Sequence, residues 1–304
     1  MKQRFYSNGK LLITGEYLVL DGAKALALPT IYGQDLCVSK NDIPGIQWRS
    51  FDHHNILWFE TQISYNEIVL GADPENREVR NMLINILHGA YLQNPKCLQA
   101  EHDLLIETHL DFDRSWGLGT SSTLIYNIAE WTKTDAFTLL KTTFGGSGYD
   151  IAVAKAKSAI IYKIEKGHST YESINFSPKF RDLIYFVHLN KKQDSNAVIK
   201  NYKRKGIVSE KDISKINQLT EQIKSAESFD QFCLDLENHE QIISKIIQVP
   251  TIKEELFQDF HGTIKSLGGW GGDFILAATK ENPTTYFQAK GYETVIPYSK
   301  MILE

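Results

Sequence analysis

The sequence is poor in cysteine, proline and methionine, and it has no long apolar run. It contains 3 cysteines, 8 prolines and 3 methionines among 304 residues. Cys37, Cys97 and Cys233 form no Cys-x-x-Cys pair and no even disulfide framework, so we interpret them as small apolar side chains in a reducing compartment. No segment approaches the about 20 apolar residues that span a membrane, and the N-terminus has no signal-peptide core. We therefore expect a cytoplasmic protein without a membrane partner.

The sequence also lacks a strong net charge. Its 33 lysines and arginines and 37 aspartates and glutamates give a formal charge of −4, which offers no general attraction to nucleic acid. Basic groups that handle an anionic substrate must then be concentrated locally. With 42% hydrophobic residues, the chain can bury one large core or two ordinary ones, and two domains are the better expectation.

Short apolar runs alternate with helix-periodic segments and predict a mixed α+β layer structure. Strands are predicted at residues 11–13, 17–20, 25–28, 56–59, 104–106, 159–162, 183–187, 274–278 and 294–296. Helices are predicted around residues 79–90, after 123, after 150, over 209–245 and from 251 to 264. A turn-forming cluster at residues 176–178 predicts a boundary between domains at 1–177 and 178–304.

The middle of the chain carries a run of glycines and hydroxyls just before a helix-periodic segment. Its sequence is Gly117-Leu118-Gly119-Thr120-Ser121-Ser122-Thr123. Glycines let a backbone approach a ligand closely, and the N–H groups and dipole at a helix start attract an anion. The Ser121 and Ser122 hydroxyls could bind phosphate oxygens or a magnesium ion carried by a nucleotide. An ordinary helix N-cap explains the same composition, and the residues alone leave both interpretations open.

Two charged residues lie where phosphoryl-transfer chemistry could use them. Asp150 follows the Gly-Gly-Ser-Gly run at residues 145–148 and opens a helix-periodic segment. It is either a helix cap or a carboxylate that accepts the proton of an attacking hydroxyl. Lys10 lies at the entry to a predicted strand, and it is either a surface residue or a positive charge for a transferring phosphoryl group.

A second glycine-rich segment occupies residues 268–272, with the sequence Gly-Gly-Trp-Gly-Gly. We expect it to link a helix to a strand, yet it has more glycine than a helix stop needs. Close approach of its backbone to a ligand is one explanation, and a flexible connector is the other.

In their order along the chain, these segments resemble the motifs of the GHMP kinases. This superfamily includes galactokinase, homoserine kinase, mevalonate kinase and phosphomevalonate kinase. Residues 9–17 with 21–27 resemble its first motif, residues 117–122 its phosphate loop and residues 268–272 its third motif. The resemblance implies the two-domain α+β GHMP kinase fold, with an N-terminal domain like domain 2 of ribosomal protein S5 and a ferredoxin-like C-terminal domain. Among the subgroups, mevalonate kinase ranks slightly ahead of phosphomevalonate kinase.

The resemblance also implies cofactors and roles for single residues. ATP and Mg²⁺ are the expected cofactors, with Ser121 as the magnesium ligand. Asp150 matches the catalytic base of mevalonate kinases, and Lys10 matches the lysine that partners it. The glutamate that completes magnesium binding in those enzymes has no confident counterpart, since Glu130 falls inside a predicted helix. The backbone expected to bind the nucleotide comprises Gly117, Leu118, Gly119, Thr120, Ser121, Ser122, Gly269 and Gly271.

The implied function is an ATP-dependent kinase that phosphorylates a hydroxyl of a small acidic metabolite. Mevalonate ranks first as substrate and 5-phosphomevalonate second, and two lysines at residues 190–195 could meet an acidic substrate or form a solvated charge run. The alternative from another class is a nucleotide-binding relative without turnover, although Lys10, Asp150 and Ser121 are all present. The expected partner is a small-molecule substrate, not nucleic acid, and a homodimer stays open.

Overall fold

A computed structural model describes residues 2–98, 103–191, 202 and 208–304. The chain forms two compact units, each assembled from separate stretches of sequence. The first unit comprises Met1–Gly9, Tyr32–Arg114 and Gly119–Lys155, and the second comprises Lys10–Ile31, Ser115–Leu118 and Ala156–Glu304. The domain boundary between residues 177 and 178 stays a prediction. Within the described ranges, no helix combines the length and apolarity needed to cross a bilayer.

The elements follow one another as a mixture of strands and helices. The strands are β1 (Gln3–Leu12), β2 (Ala25–Lys40), β3 (Ile46–Phe51), β4 (Leu57–Ile63), β5 (Leu104–Leu110), β6 (Ile160–Glu165), β7 (His168–Ser173), β8 (Ile184–His188), β9 (Thr263–Ser266), β10 (Phe274–Ala278) and β11 (Val295–Pro297). The helices are α1 (Tyr65–Leu70), α2 (Val79–Gln93), α3 (Thr120–Thr132), α4 (Ala136–Thr143), α5 (Tyr149–Lys155), α6 (Glu210–Lys224), α7 (Phe229–Ile247), α8 (Ile252–Leu256), α9 (Thr284–Ala289) and α10 (Tyr298–Met301).

The first unit packs helices on one face of a mixed sheet. The second half of β2 pairs antiparallel with β5, β5 pairs parallel with β3, and β3 pairs antiparallel with β4. Alternate residues of β3 are buried, as expected for a sheet with one covered face. The core joins strand residues such as Trp48 and Ile106 to Leu87, Ile128 and Leu139 of the helices, so apolar burial fixes the start of α3 relative to the sheet.

The second unit contains a separate antiparallel sheet with the strand order β11-β8-β10-β9. All five residues of β10 are buried, which explains their continuous apolar run. A cluster that includes Val187, Ile264, Ile275 and Phe287 forms the core on these strands. In the same unit, Ala25–Ala27 of β2 pairs antiparallel with β6, and β6 pairs with β7.

Residues 17–20 were predicted to form a strand, and this prediction is wrong. Leu18–Asp21 is a short 3-10 turn that follows Tyr17 at φ 63° and ends at Gly22 in the left-handed region. Tyr17 and Leu18 are nonetheless buried in a cluster with Ile216 and Ile243. The apolar residue types correctly predicted that this segment is buried. A run of four residues, however, does not distinguish a strand from a buried turn.

Three predicted limits of elements also differ from the structure. Strand β2 continues through Pro29 to Lys40, because Pro29 lies between the residues paired with β6 and those paired with β5. The helix predicted over 209–245 is two helices, since Ser228 caps the second by accepting a hydrogen bond from the Gln231 N–H. The helix predicted from 251 to 264 begins with a capping box of Thr251 and Glu254, but it ends at Leu256.

Because Ile264 belongs to β9 and not to a helix, the glycine-rich segment at 268–272 connects two antiparallel strands. The predicted link from a helix to a strand is therefore wrong. The cysteines are free thiols, with Cys37 buried and Cys97 and Cys233 half-buried.

Candidate active site

The phosphate-loop candidate has a backbone that only glycine adopts readily at two positions. Gly117 has φ 66° and Gly119 has φ 99°, both in the left-handed region. Leu118 between them is fully buried, so its side chain anchors the loop. Helix α3 begins directly after Gly119, and no side chain caps its N-terminus. Gly119 is thus the N-cap residue of α3, without the side-chain hydrogen bond that a serine or threonine cap would supply.

The hydroxyls that follow divide into buried and exposed ones. Ser122 is buried, and its Oγ donates to the Gly119 carbonyl at 2.9 Å. Thr123 Oγ1 donates to the same carbonyl at 3.0 Å. Ser121 is exposed and Thr120 is half-buried. Of the two serines, Ser121 is therefore better suited to contact a ligand.

Lys10 binds the first part of the loop in two ways. Its backbone N–H donates to the Leu118 carbonyl at 2.9 Å, and its Nζ donates to the Gly117 carbonyl at 2.8 Å. The side chain is half-buried at the end of β1. Strand β1 thus holds a positive charge at the start of the glycine run, where an anionic group would be stabilised.

The glycine-rich connection between β9 and β10 is anchored by its tryptophan. Gly268 and Gly271 have φ 63° and 77°. Trp270 is buried, its backbone N–H donates to Tyr17 Oη at 2.9 Å, and its Nε1 donates to the Pro250 carbonyl at 3.0 Å. The bulky side chain therefore points into the protein, whereas Gly268, Gly269 and Gly271 are half-buried.

Asp273 ends this connection and contacts the phosphate-loop candidate. A Cβ built on Gly117 would lie 2.2 Å from Asp273 Cγ and within 2.5 Å of both carboxylate oxygens. The Asp273 backbone, at φ 52°, donates to the Lys191 carbonyl at 2.7 Å and accepts from the Leu189 N–H at 2.8 Å. A side chain at Gly117 would therefore force the Asp273 carboxylate to move.

Asp150 lies in the first unit, as the second residue of α5. The preceding Gly145, Gly146 and Gly148 all have positive φ. Asp150 is half-buried, and its Oδ1 accepts a hydrogen bond from the Ile151 N–H at 3.1 Å. The glycines allow the sharp turn that places this carboxylate at the start of the helix.

Solved structures resemble the whole chain, although no family model and no curated protein matches its sequence. Mevalonate kinase of Methanococcus jannaschii is 13% identical, with a TM-score of 0.71 over 97% of this chain and 96% of that chain. Phosphomevalonate kinase of Streptococcus pneumoniae, in complex with phosphomevalonate and AMPPNP, is 15% identical, with a TM-score of 0.68 over 99% and 98%. Galactokinase of Lactococcus lactis, complexed with galactose, is 12% identical, with a TM-score of 0.71 over 99% and 93%.

The chain has the two-domain fold of the GHMP kinases. The fold class predicted from the resemblance is therefore confirmed. At these identities the likeness establishes the fold, and the chemistry must be argued from the site itself.

In this GHMP kinase fold, the predicted site residues belong to two groups. Gly119, Thr120, Ser121, Ser122 and Asp150 belong to the first unit, and Lys10, Gly117, Leu118, Gly269 and Gly271 to the second. The structure brings Lys10, Gly117 and Leu118 into direct contact. The assignment of these residues to ATP, Mg²⁺ and proton transfer stays a prediction.

Further expectations concerned Glu130, the segment at residues 190–195 and the magnesium site. Glu130 is exposed on α3. The segment predicted at 190–195 lies outside the described residues from 192 onward. No group of three or more histidine, cysteine, aspartate or glutamate side chains suited to a metal lies within the described part of the chain.

A second feature of this GHMP kinase fold is a buried charge cluster, which consists of Glu16, His239, Glu240 and Lys265. Their side chains are at most 4% exposed. Lys265 Nζ donates to Glu16 Oε1 and lies 3.8 Å from Glu240 Oε2. His239 Nε2 accepts the Gly15 N–H at 3.0 Å. The cluster thus binds the Gly15-Glu16-Tyr17 segment to α7 and β9.

Burial controls the protonation of this cluster. Desolvation raises the pKa of Glu16, opposed by the Lys265 ammonium, and raises the pKa of Glu240 to about 7. Burial, with the nearby Lys265 charge, lowers the pKa of His239 well below its ordinary value. His239 is therefore neutral, which agrees with its role as acceptor for Gly15.

Sequence reasoning missed Asp273 and the buried charge cluster. Asp273 directly follows the glycine-rich segment, and a carboxylate at that position was a signal that could have been used. Lys265 lies in a short strand whose four residues are all buried in the structure, and a fully buried lysine is almost always paired with an opposite charge. Its partners could not be found in this way, because Glu16 is 249 residues away.

Proposed function

We propose that this protein is an ATP-dependent GHMP-type kinase that phosphorylates a hydroxyl of a small acidic metabolite. Mevalonate is the first candidate substrate and 5-phosphomevalonate the second. The observation that carries the proposal is the glycine loop before α3, a helix without a side-chain cap at its N-terminus. Both the backbone N–H and the Nζ of Lys10 donate hydrogen bonds to this loop. Backbone N–H groups at a helix start and a lysine beside them are suited to bind phosphate.

The loop also fits the nucleotide and its magnesium ion. Gly119 is half-buried and carries no side chain, which favours close approach of a polyphosphate to its backbone. The exposed Ser121 hydroxyl is an oxygen donor of the kind that Mg²⁺ prefers. The ion would neutralise charge on the transferring phosphoryl group when it is bound with the nucleotide.

Two side chains supply the remaining chemistry in this proposal. Lys10 stabilises the negative charge that develops on the transferred phosphoryl group. Asp150 accepts the proton as the substrate oxygen forms its bond to the γ-phosphorus and the bond from phosphorus to ADP breaks. Positioning and charge neutralisation provide most of the rate enhancement in such transfers.

The test is turnover on a substrate panel. The purified chain is incubated with Mg²⁺ and ATP and with mevalonate, 5-phosphomevalonate, homoserine or galactose, and ADP release is followed. We expect ADP release with mevalonate or 5-phosphomevalonate. Absence of release with every substrate would contradict the kinase proposal, and nucleotide binding without release would favour the relative without turnover.

Variants of Asp150 and Lys10 then test the assigned roles. Asp150→Asn and Lys10→Met should each lower kcat by about 100-fold or more, because each removes a group that acts in the transition state. Asp42→Asn, an exposed carboxylate of the first unit, is the matched control and should leave kcat unchanged. Full activity of Asp150→Asn would exclude Asp150 as the base.

A further inference from the structure

Asp273 places a carboxylate directly against the loop proposed to receive polyphosphate. A Cβ built on Gly117 would lie 2.2 Å from Asp273 Cγ, so the carboxylate occupies the space that a Gly117 side chain would need. Hydrogen bonds from the Asp273 N–H to Lys191 and from the Leu189 N–H to the Asp273 carbonyl fix its backbone on both sides. The Asp273 backbone is therefore fixed, and its carboxylate lies beside the first glycine of the loop.

A negative group at this position is unfavourable for binding an anion alone. Lys10 Nζ, which donates to the Gly117 carbonyl at 2.8 Å, offsets part of that repulsion. A divalent cation changes the balance further, because it attracts both the carboxylate and the phosphates. Mg²⁺ is commonly bound by one or two carboxylates together with substrate phosphates.

We propose that Asp273 is a carboxylate ligand, directly or through a bound water, of the divalent cation that accompanies the nucleotide. The inference rests on the proposed function and adds a metal-binding residue from the connection between β9 and β10. A role in cation binding would explain why Asp273 packs against a glycine, because this contact brings its carboxylate next to the phosphate loop.

The test separates metal binding from loop structure. Asp273→Asn keeps the size of the side chain, and asparagine tolerates the left-handed backbone at φ 52°. Binding of the non-hydrolysable ATP analogue AMPPNP is measured by calorimetry with Mg²⁺ and, separately, with EDTA. Binding of Mn²⁺ in the presence of AMPPNP is followed by electron paramagnetic resonance.

We expect Mg²⁺ to tighten AMPPNP binding to the unaltered protein. The factor by which Mg²⁺ tightens binding should be at least tenfold smaller for Asp273→Asn. Affinity in EDTA should be unchanged or higher in the variant, because a repulsive charge is removed. Mn²⁺ affinity of the complex should fall in parallel. Asp182→Asn, which alters an exposed aspartate of the same unit, should behave like the unaltered protein.

Equal losses of affinity with Mg²⁺ and with EDTA, or an unchanged response to Mg²⁺, would overturn the inference. Asp273→Gly is the second variant, since glycine suits the left-handed backbone and keeps the test valid if the asparagine variant does not fold. If the unaltered protein binds AMPPNP under neither condition, both the proposed function and this inference fail. If the unaltered protein binds AMPPNP, and Mg²⁺ tightens binding to the variants by the same factor, the inference alone fails.

Discussion

Gly117 shows how much of the candidate site depends on an absent side chain. Its φ of 66° favours glycine, and a side chain there would overlap with the Asp273 carboxylate. The sequence pointed to Gly117 as a residue for backbone approach to a ligand. The neighbour that fills the space is Asp273, 156 positions later in the numbering, and only the folded chain identifies it.

Gly117→Ala should destabilise the protein by about 2–3 kcal/mol, since overlap with Asp273 adds to the left-handed strain. The measurement is urea unfolding. Gly167→Ala is the matched control, because Gly167 has φ 80° and nothing within 4 Å of an added Cβ. It should show the strain alone, at about 1 kcal/mol.

Combining Gly117→Ala with Asp273→Gly should recover part of the lost stability, since the second change removes the overlapping carboxylate. Equal costs for Gly117→Ala and Gly167→Ala would contradict the contact with Asp273.

At the scale of elements, periodicity predicted strands and helices wherever an apolar pattern extended over enough residues. Helix α2 and strands β5, β8 and β10 lie where the sequence predicted them. The errors fall on short runs such as residues 17–20, and on the segment from Thr251 to Ile264, which contains both a helix and a strand. Local pattern cannot decide these cases, because burial against other elements determines the backbone.

The buried charge cluster links elements, and it makes stability depend on pH. The folded pKa of Glu240, about 7, is raised above the value of 4.5 for an unperturbed glutamate. The folded state therefore holds the proton more tightly than the unfolded state. Its stabilising contribution is fully present below pH about 4.5 and is lost as the pH rises through about 7.

The glutamine in Glu240→Gln cannot ionise, so the stability of this variant relative to the unaltered protein should rise by about 3 kcal/mol between pH about 4 and about 8. Urea unfolding at several pH values measures this difference. Glu237→Gln, which alters an exposed glutamate on the same helix, should show no such change. A pH-independent difference for Glu240→Gln would show that Glu240 does not titrate in this range.

At the scale of the whole molecule, binding of a nucleotide should stabilise the fold by mass action. A ligand at about 100 times its Kd contributes about 2.7 kcal/mol, which corresponds to a rise in Tm of about 5 °C for a chain of this size. Thermal unfolding with Mg²⁺ and ADP measures the shift. Lys10→Met should reduce it, and a Tm independent of ADP concentration would contradict nucleotide binding.

Local sequence pattern predicted the α+β class, most strands and helices, and three motifs whose order resembles that of the GHMP kinases. These features depend on local pattern and on residue type, which can be identified along the chain. Only the folded structure shows that Asp273 contacts Gly117, that Trp270 anchors the connection between β9 and β10, and that Glu16 and Lys265 form a buried pair. These contacts join distant segments, and packing selects such partners by shape and charge, which no local pattern records.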